Sequence, residues 1–304
     1  MTKLVIAEFM DEAAVDDLRR DFDVVYDAGL VDDPARLMRE ISDAAALVVR
    51  NRTQVRVALL DAAPNLKALG RLGVGLDNID LDACAARDIK VLPATGANDV
   101  SVAEYVLTSA MMLLRGAYFG ADRMMRGDWP REDMCGRELS GKILGLLGYG
   151  SVARETAKRA RLMGTEVLAH DPFARNFDGA TRVDTLAGLL ATADIVSLHV
   201  PLTDGTRHII DESALARMKP TAILINAARG GVVDETALTA ALKAGTLHGA
   251  ALDVFETEPM TLESGQAFAG ITNLILTPHI AGVTQEANAR VSALTADNIR
   301  KALG

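Results

Sequence analysis

Short apolar runs alternate with amphipathic stretches along almost the whole of this chain, and that alternation constrains the fold more than any other feature. LVIAEF, ALVVR, ALGRLG and KVLPAT read as strands of a first unit, separated by DEAAVDDLRRDF, DDPARLMREIS and VRVALLDAAPN. Those intervening segments carry helical periodicity with acidic or Pro-marked ends. A second series, KILGLLG, TEVLAHD, ADIVSLHV, AILINAA, GAALDVF and NLILTP, repeats the pattern further on. Strands that are apolar from end to end need cover on both faces, so the sequence predicts an α/β protein with doubly wound parallel sheets. At 304 residues, 49% of them hydrophobic, the chain is near the size at which a single core stops growing, and two domains are expected.

Between the two series, SVAEYVLTSAMMLLR is apolar nearly all round and free of Gly and Pro. This predicts a long buried helix from Ser101 to Arg115, with Ser101 and Glu104 as a capping box at its start. The last segment, TQEANARVSALTADNIRKALG, has a helical pattern suited to packing back on the first unit. One domain is therefore expected from residues 1–97 and 283–304, and the other from 98–282.

A formal charge of −9 with no long basic run argues against a nucleic-acid surface, which needs clustered Lys and Arg. No uninterrupted apolar stretch reaches membrane-spanning length, and the N-terminal apolar run is too short and too acidic for a signal peptide. Cys84 and Cys135 match no metal-ligand or redox spacing. No bound metal, reduced thiols and a cytoplasmic location are the expectations.

GYGSVA, from Gly148 to Ala153, follows the apolar KILGLL and opens SVARETAKRARLMG, the strand, turn and helix order of a dinucleotide site. Gly148 permits the tight turn, and Gly150 lets the backbone approach a pyrophosphate whose charge the helix N-terminus favours. Asp171 ends the next strand about 20 residues on, where an acid accepts hydrogen bonds from ribose hydroxyls and repels a ribose phosphate. NAD is thus expected over NADP, with Arg175 close by as the contrary sign.

Reducing a 2-keto acid takes hydride to the carbonyl carbon, a proton to its oxygen, and an anchor for the adjacent carboxylate. Arg229 after AILINAA, Glu258 after GAALDVF and His279 after NLILTP stand at the carboxyl ends of predicted strands, the edge where open parallel sheets bind ligands. An imidazole suits the proton step, a neighbouring acid favours its protonated form, and a guanidinium binds a carboxylate through two parallel hydrogen bonds. Among the five histidines, only His279 combines a strand end, a preceding Pro and a nearby glycine, Gly282.

GRLGVGLDNIDLDAC, SVAEYVL, LGLLGYGSVA, HVPLT, NAARGGVVDETAL, GAALDVFETEP and TPHIAGVT, in that order, closely resemble the D-isomer-specific 2-hydroxyacid dehydrogenase family over nearly the whole chain. The resemblance implies a flavodoxin-like substrate domain built from both chain ends, a Rossmann NAD domain inserted between, and a cleft separating them. It further implies His279 as acid/base, Glu258 as its partner and Arg229 as the substrate anchor, with the amides of Val74 and Gly75 on the substrate carboxylate. Around the cofactor it implies Gly148, Tyr149, Gly150, Ser151 and Val152 at the pyrophosphate. Val200, Pro201 and Thr206 would flank the adenosine half. Ala227, Ala228, Asp253 and Gly282 would surround the nicotinamide with Arg229 and His279.

The substrate is narrowed by VRNRTQV. Phosphoglycerate dehydrogenases resemble the chain but usually read VRS there, and many carry a C-terminal regulatory domain for which this chain has no residues. Sulfolactate dehydrogenases resemble this loop. Arg50, Asn51 and Arg52, with Arg71 in reach, are expected to bind a second anion on the substrate: a sulfonate, phosphate or carboxylate. The expected activity is hydride exchange between NAD and a small 2-hydroxy acid. The alternatives are an NAD(H)-sensing binding protein and a formate- or phosphite-dehydrogenase-like member. Trp129 beside Pro130 suggests a contact surface, and the resemblance implies a homodimer through the NAD domain.

Overall fold

The structure, a computed structural model, describes all 304 residues, and the chain divides into two compact units: Met1–Asn98 with Val283–Gly304, and Asp99–Gly282. In the first, β1 (Lys3–Ile6), β2 (Asp23–Tyr26), β3 (Ala46–Val49), β4 (Ala68–Arg71) and β5 (Lys90–Pro93) form one parallel sheet in the order β2-β1-β3-β4-β5. This is the flavodoxin-like order, whose direction of winding reverses between β1 and β3. Helices α1 (Glu12–Leu18), α2 (Pro34–Ile41), α3 (Val57–Asp61) and α4 (Leu81–Ala85) connect the strands.

Alternation along the strands splits the core into two layers. Val5, Leu47, Val49 and Leu69 face one set of helices, whereas Leu4, Ile6, Ala46 and Val48 face the other. Strand β2 was not among the expected strands. It is a four-residue edge strand, only partly buried and starting on an acid, so it lacks the continuous apolar run of an interior strand.

In the second unit the strands are β6 (Ile143–Leu147), β7 (Glu166–His170), β8 (Thr181–Arg182), β9 (Ile195–Leu198), β10 (Ile223–Asn226), β11 (Gly249–Leu252) and β12 (Leu274–Leu276). All pair in parallel, in the order β12-β11-β10-β9-β6-β7-β8, the doubly wound dinucleotide topology with its reversal between β6 and β9.

The connecting helices are α5 (Asp99–Arg115), α6 (Ala121–Met125), α7 (Ser151–Leu162), α8 (Leu186–Thr192), α9 (Glu212–Leu215), α10 (Glu235–Ala244) and α11 (Leu262–Gln266). α5 packs on α7, β10 and β11 and is buried along most of its length. It begins at Asp99, so Ser101 lies inside its first turn and is not an N-cap; the expected capping box is not formed.

The final helix, α12 (Gln285–Leu303), belongs to the first unit and lies across β4 and β5 and against α1. Gly70 is what lets it approach: a Cβ there would stand 2.9 Å from the Thr295 Cγ2 methyl. Arg300 ties the helix down at its end, donating to Asp21 Oδ2 at 2.7 Å and to the Asp17 carbonyl at 2.9 Å.

Candidate active site

Where β6 ends, Gly148 turns the chain with φ +89°, a conformation L side chains rarely adopt, and a Cβ there would lie 2.6 Å from the His199 carbonyl oxygen and 3.0 Å from Val200. Gly150 faces open space and is the N-cap of α7 without any side-chain cap, so the first amides of a twelve-residue helix are left for an anion. Burial pushes the Asp99 carboxyl up, and the nearby Ser151 hydroxyl partly offsets this. These features fit the pyrophosphate of a dinucleotide. Val152 lies in the same first turn of α7.

Tyr149 turns its ring inward, stacked on Phe177 at 5.4 Å with the Arg154 guanidinium 4.7 Å from its centre, and offers the turn only its backbone. Its N–H donates to Asp171 Oδ2 at 2.8 Å, and Asp171 Oδ1 accepts from Phe173 at 2.8 Å and Ala174 at 3.1 Å. Burial works against the Asp171 charge, but these amides together hold its carboxyl below the usual range. It stays an acceptor with lone pairs left for ribose hydroxyls. Thr206 fixes the loop after β9, donating to the Pro201 carbonyl at 2.6 Å.

Three loops at the carboxyl edge of the same sheet carry Arg229, Glu258 and His279. After β10, buried Asn226 locks the chain by accepting from the Ala228 N–H at 3.1 Å and donating to the Arg229 carbonyl at 2.8 Å, with Ala227 between. Gly230 allows this loop to touch the next: a Cβ there would fall 1.8 Å from the Phe255 carbonyl oxygen. After β11, Glu258 bends back so that Oε1 accepts from the Phe255 N–H at 2.9 Å and Oε2 meets His279 Nδ1 at 2.7 Å. With Nδ1 engaged, Nε2 is the nitrogen left for a substrate. Burial opposes the charge on Glu258, but the His279 bond, the Phe255 amide and the nearby Arg229 hold its carboxyl below the usual range.

His279 has φ +56°, and the loop holding it there is organised by buried Asp253. The Asp253 carbonyl accepts from the His279 N–H at 2.8 Å, Oδ1 from Ile280 at 2.8 Å, and Oδ2 from Ala281, just before Gly282, at 2.7 Å. Thr277 donates to Asp253 Oδ1 at 2.6 Å and shares a 2.7 Å hydrogen bond with Tyr105 from α5. The Asp253 carboxylate thus organises the loop around His279. Asn226, Thr277 and Tyr105 were not singled out from the sequence. Only the position of Asn226, between a strand and Arg229, gave a signal.

The other histidines sit differently. His170 bonds the Val183 carbonyl through Nδ1 at 2.9 Å, and His199 shares a 3.0 Å hydrogen bond with Ser197 while burial pushes it down to about 4. His208 meets Glu256 at a longer 3.2 Å, and burial lowers His248.

In the first unit, the residues expected to bind a second anion diverge. Arg52 is ion-paired to Asp32, with 59% of its side chain exposed. Arg50 is part-buried, donates to Asn288 Oδ1 at 2.9 Å and lies 6.0 Å over the Phe9 ring; burial lowers its pKa and the Glu8 charge partly offsets this. Arg71 turns back to its own strand end, donating to the Leu72 carbonyl at 2.7 Å. Val74 is exposed after β4, next to Gly73, whose φ is +139°, and Gly75 follows. Asn51 is exposed in the loop after β3.

A doubly wound dinucleotide sheet with an imidazole–carboxylate pair at its carboxyl edge defines a class: nicotinamide-dependent dehydrogenases that move a proton along with a hydride. Residues 107–281 match the NAD binding domain of D-isomer specific 2-hydroxyacid dehydrogenase, and the chain belongs to that family. It is an NAD-dependent 2-hydroxyacid dehydrogenase, an oxidoreductase acting on CH–OH donors.

Over 308 residues, covering 100% of this chain and 99% of the relative, it is 57% identical to an (S)-sulfolactate dehydrogenase of Chromohalobacter salexigens. A crystal structure of a Thermus thermophilus protein superposes with a TM-score of 0.91 at 31% identity, covering 99% of this chain and 97% of that one. A D-lactate dehydrogenase of Aquifex aeolicus, solved with NAD and lactic acid, superposes with a TM-score of 0.84 at 27% identity, covering 98% and 94%.

Proposed function

We propose that this enzyme interconverts sulfolactate and sulfopyruvate, a 2-hydroxy acid and 2-keto acid pair carrying a second, sulfonate anion. The single observation carrying this substrate is the 57% identity, end to end, with an (S)-sulfolactate dehydrogenase. A part-buried Arg50 beside the point where the first sheet reverses its winding supports it, because a strongly acidic anion needs a guanidinium in a partly desolvated setting.

In this reading residues 1–98 with 283–304 bind the substrate and residues 99–282 bind NAD. Bound NADH supplies the hydride. His279 donates the Nε2 proton to the carbonyl oxygen, and Glu258, bonded to Nδ1, stabilises the charged imidazole before transfer. Arg229 and the amides of Val74 and Gly75 take the carboxylate. Arg50, with the backbone of Asn51, takes the sulfonate; Arg52, already paired with Asp32, has the lesser part.

We also infer a cytoplasmic homodimer. Cys84 and Cys135 are free, no helix is long and apolar enough to cross a membrane, and Tyr118, Met125 and Trp129 are strongly exposed in one segment of the second unit.

The test is NADH consumption with sulfopyruvate, hydroxypyruvate, glyoxylate and phosphohydroxypyruvate. Sulfopyruvate is expected to give the highest kcat/KM. Equal or better turnover of glyoxylate, which has no second anion, would remove the sulfonate reading; inactivity on every keto acid would favour formate-like chemistry or sensing.

A further inference from the structure

One acid that the reaction does not use is buried where the winding of the first sheet reverses. Glu8 lies two residues beyond β1 and is only 3% exposed. Its partners are backbone amides: Oε1 accepts from the N–H groups of Arg50 and Thr53, each at 2.9 Å, and Oε2 from Arg52 at 3.2 Å. The same four residues are gripped from the other side by Asn78, itself 5% exposed, which donates to the carbonyls of Arg50 at 3.2 Å and Thr53 at 2.7 Å. One buried side chain thus gathers the donors of the loop after β3, and a second gathers its acceptors.

Burying a carboxylate against amides is costly unless all its bonds are made, and an ordinary surface turn needs no such device. What it fixes here is the backbone that launches Arg50, whose guanidinium is then held by Asn288 and Phe9. Ligands of doubly wound sheets bind at the carboxyl ends of the strands flanking the reversal, which in this unit are β1 and β3, the strands that precede Glu8 and Arg50.

We propose that Glu8, assisted by Asn78, is a positioning residue for substrate selection: it holds the Arg50–Thr53 loop in the conformation that presents Arg50 to the second anion of the keto acid. This rests on the reading above that Arg50 binds that anion. Glu8 itself does not touch substrate. Its removal therefore raises the KM for the dianionic keto acid and leaves the chemical step intact.

The experiment compares Glu8→Ala, Glu8→Gln, Arg50→Ala and the double variant Glu8→Ala/Arg50→Ala in the full-length enzyme, with NADH and sulfopyruvate. Glu8→Ala is expected to raise the KM for sulfopyruvate about tenfold, the scale of one or two lost charge-assisted hydrogen bonds, with kcat and the KM for NADH changed less than about twofold. Glu8→Gln keeps an acceptor for Arg50 and Thr53 but sets an N–H₂ against the Arg52 N–H, and gives an intermediate rise. In the double variant the KM equals that of Arg50→Ala alone, because both changes remove one interaction.

A fall in kcat and thermal stability with the sulfopyruvate KM unchanged would show a purely structural role and overturn the proposal, as would KM effects that multiply in the double variant. If Glu8→Ala does not fold, Glu8→Gln decides by the same criteria. Should Arg50→Ala itself leave the KM unchanged, the anion assignment of Arg50 fails; should Arg50→Ala raise it while both Glu8 variants do not, only the positioning role fails.

Discussion

His279 illustrates how much local structure one proton donor demands. Its backbone sits at φ +56°, which a residue with a Cβ adopts only when its surroundings impose it, and Asp253 imposes it through flanking amides. His279→Gln is expected to lower kcat about 10²- to 10⁴-fold, the range for loss of a positioned acid, while NADH titrated by fluorescence still binds within about twofold. His199 makes the opposite use of an imidazole. Its folded pKa of about 4 lies below the ordinary 6.5, so the unfolded chain binds the extra proton between those values. The stability it contributes is complete above pH 6.5 and is lost as pH falls toward 4. Thermal melts should show a Tm several degrees lower at pH 5 than at pH 7.5. Most of that difference should vanish in His199→Asn.

At the scale of elements, the catalytic edge is made by loops that approach one another through glycine. Gly230 lies against the Phe255 carbonyl, which links the loop bearing Arg229 to the one bearing Glu258. Gly230→Ala forces those loops apart and is expected to destabilise the protein by about 1–3 kcal/mol, in line with overpacking, and to lower kcat/KM more than tenfold. Gly245→Ala is the contrast. That residue ends α10 at φ +68° with nothing within 4 Å of a Cβ, so the substitution costs about 1–2 kcal/mol of backbone strain and leaves turnover unchanged. Melting curves and steady-state rates on the pair separate a conformational effect from a clash at the site.

For the whole molecule, a net charge of −9 surrounds an enzyme proposed to take a dianion, so attraction must come from local guanidinium groups and helix or loop amides. A group of exposed apolar side chains lies elsewhere, in the segment around α6. Trp129 is 78% exposed and lines a small apolar hollow with Met124, Pro130 and Met134. If this face joins two copies, sedimentation equilibrium at micromolar concentration gives twice the 32.3 kDa chain mass, and Trp129→Glu moves the species toward monomer without unfolding it. A wild-type monomer at that concentration removes the dimer.

Most of the architecture was legible because its signals are local: apolar runs of strand length, amphipathic stretches between them, and a glycine turn in register with Asp171. The edge strand β2 escaped because an edge strand needs no continuous apolar face. The choice of Arg229, Glu258 and His279 was legible as residue types at strand ends, and the partnership of Glu258 with His279 through the family resemblance, but not the turn closed by Phe255 through which Glu258 reaches His279 across 21 positions of sequence. Glu8 and Arg50, 42 positions apart, were brought together only by the pairing of β1 with β3, and Arg52 was drawn away to Asp32. Periodicity fixes which face of an element is apolar, whereas a hydrogen bond between distant side chains exists only once sheet order has set the distance between them.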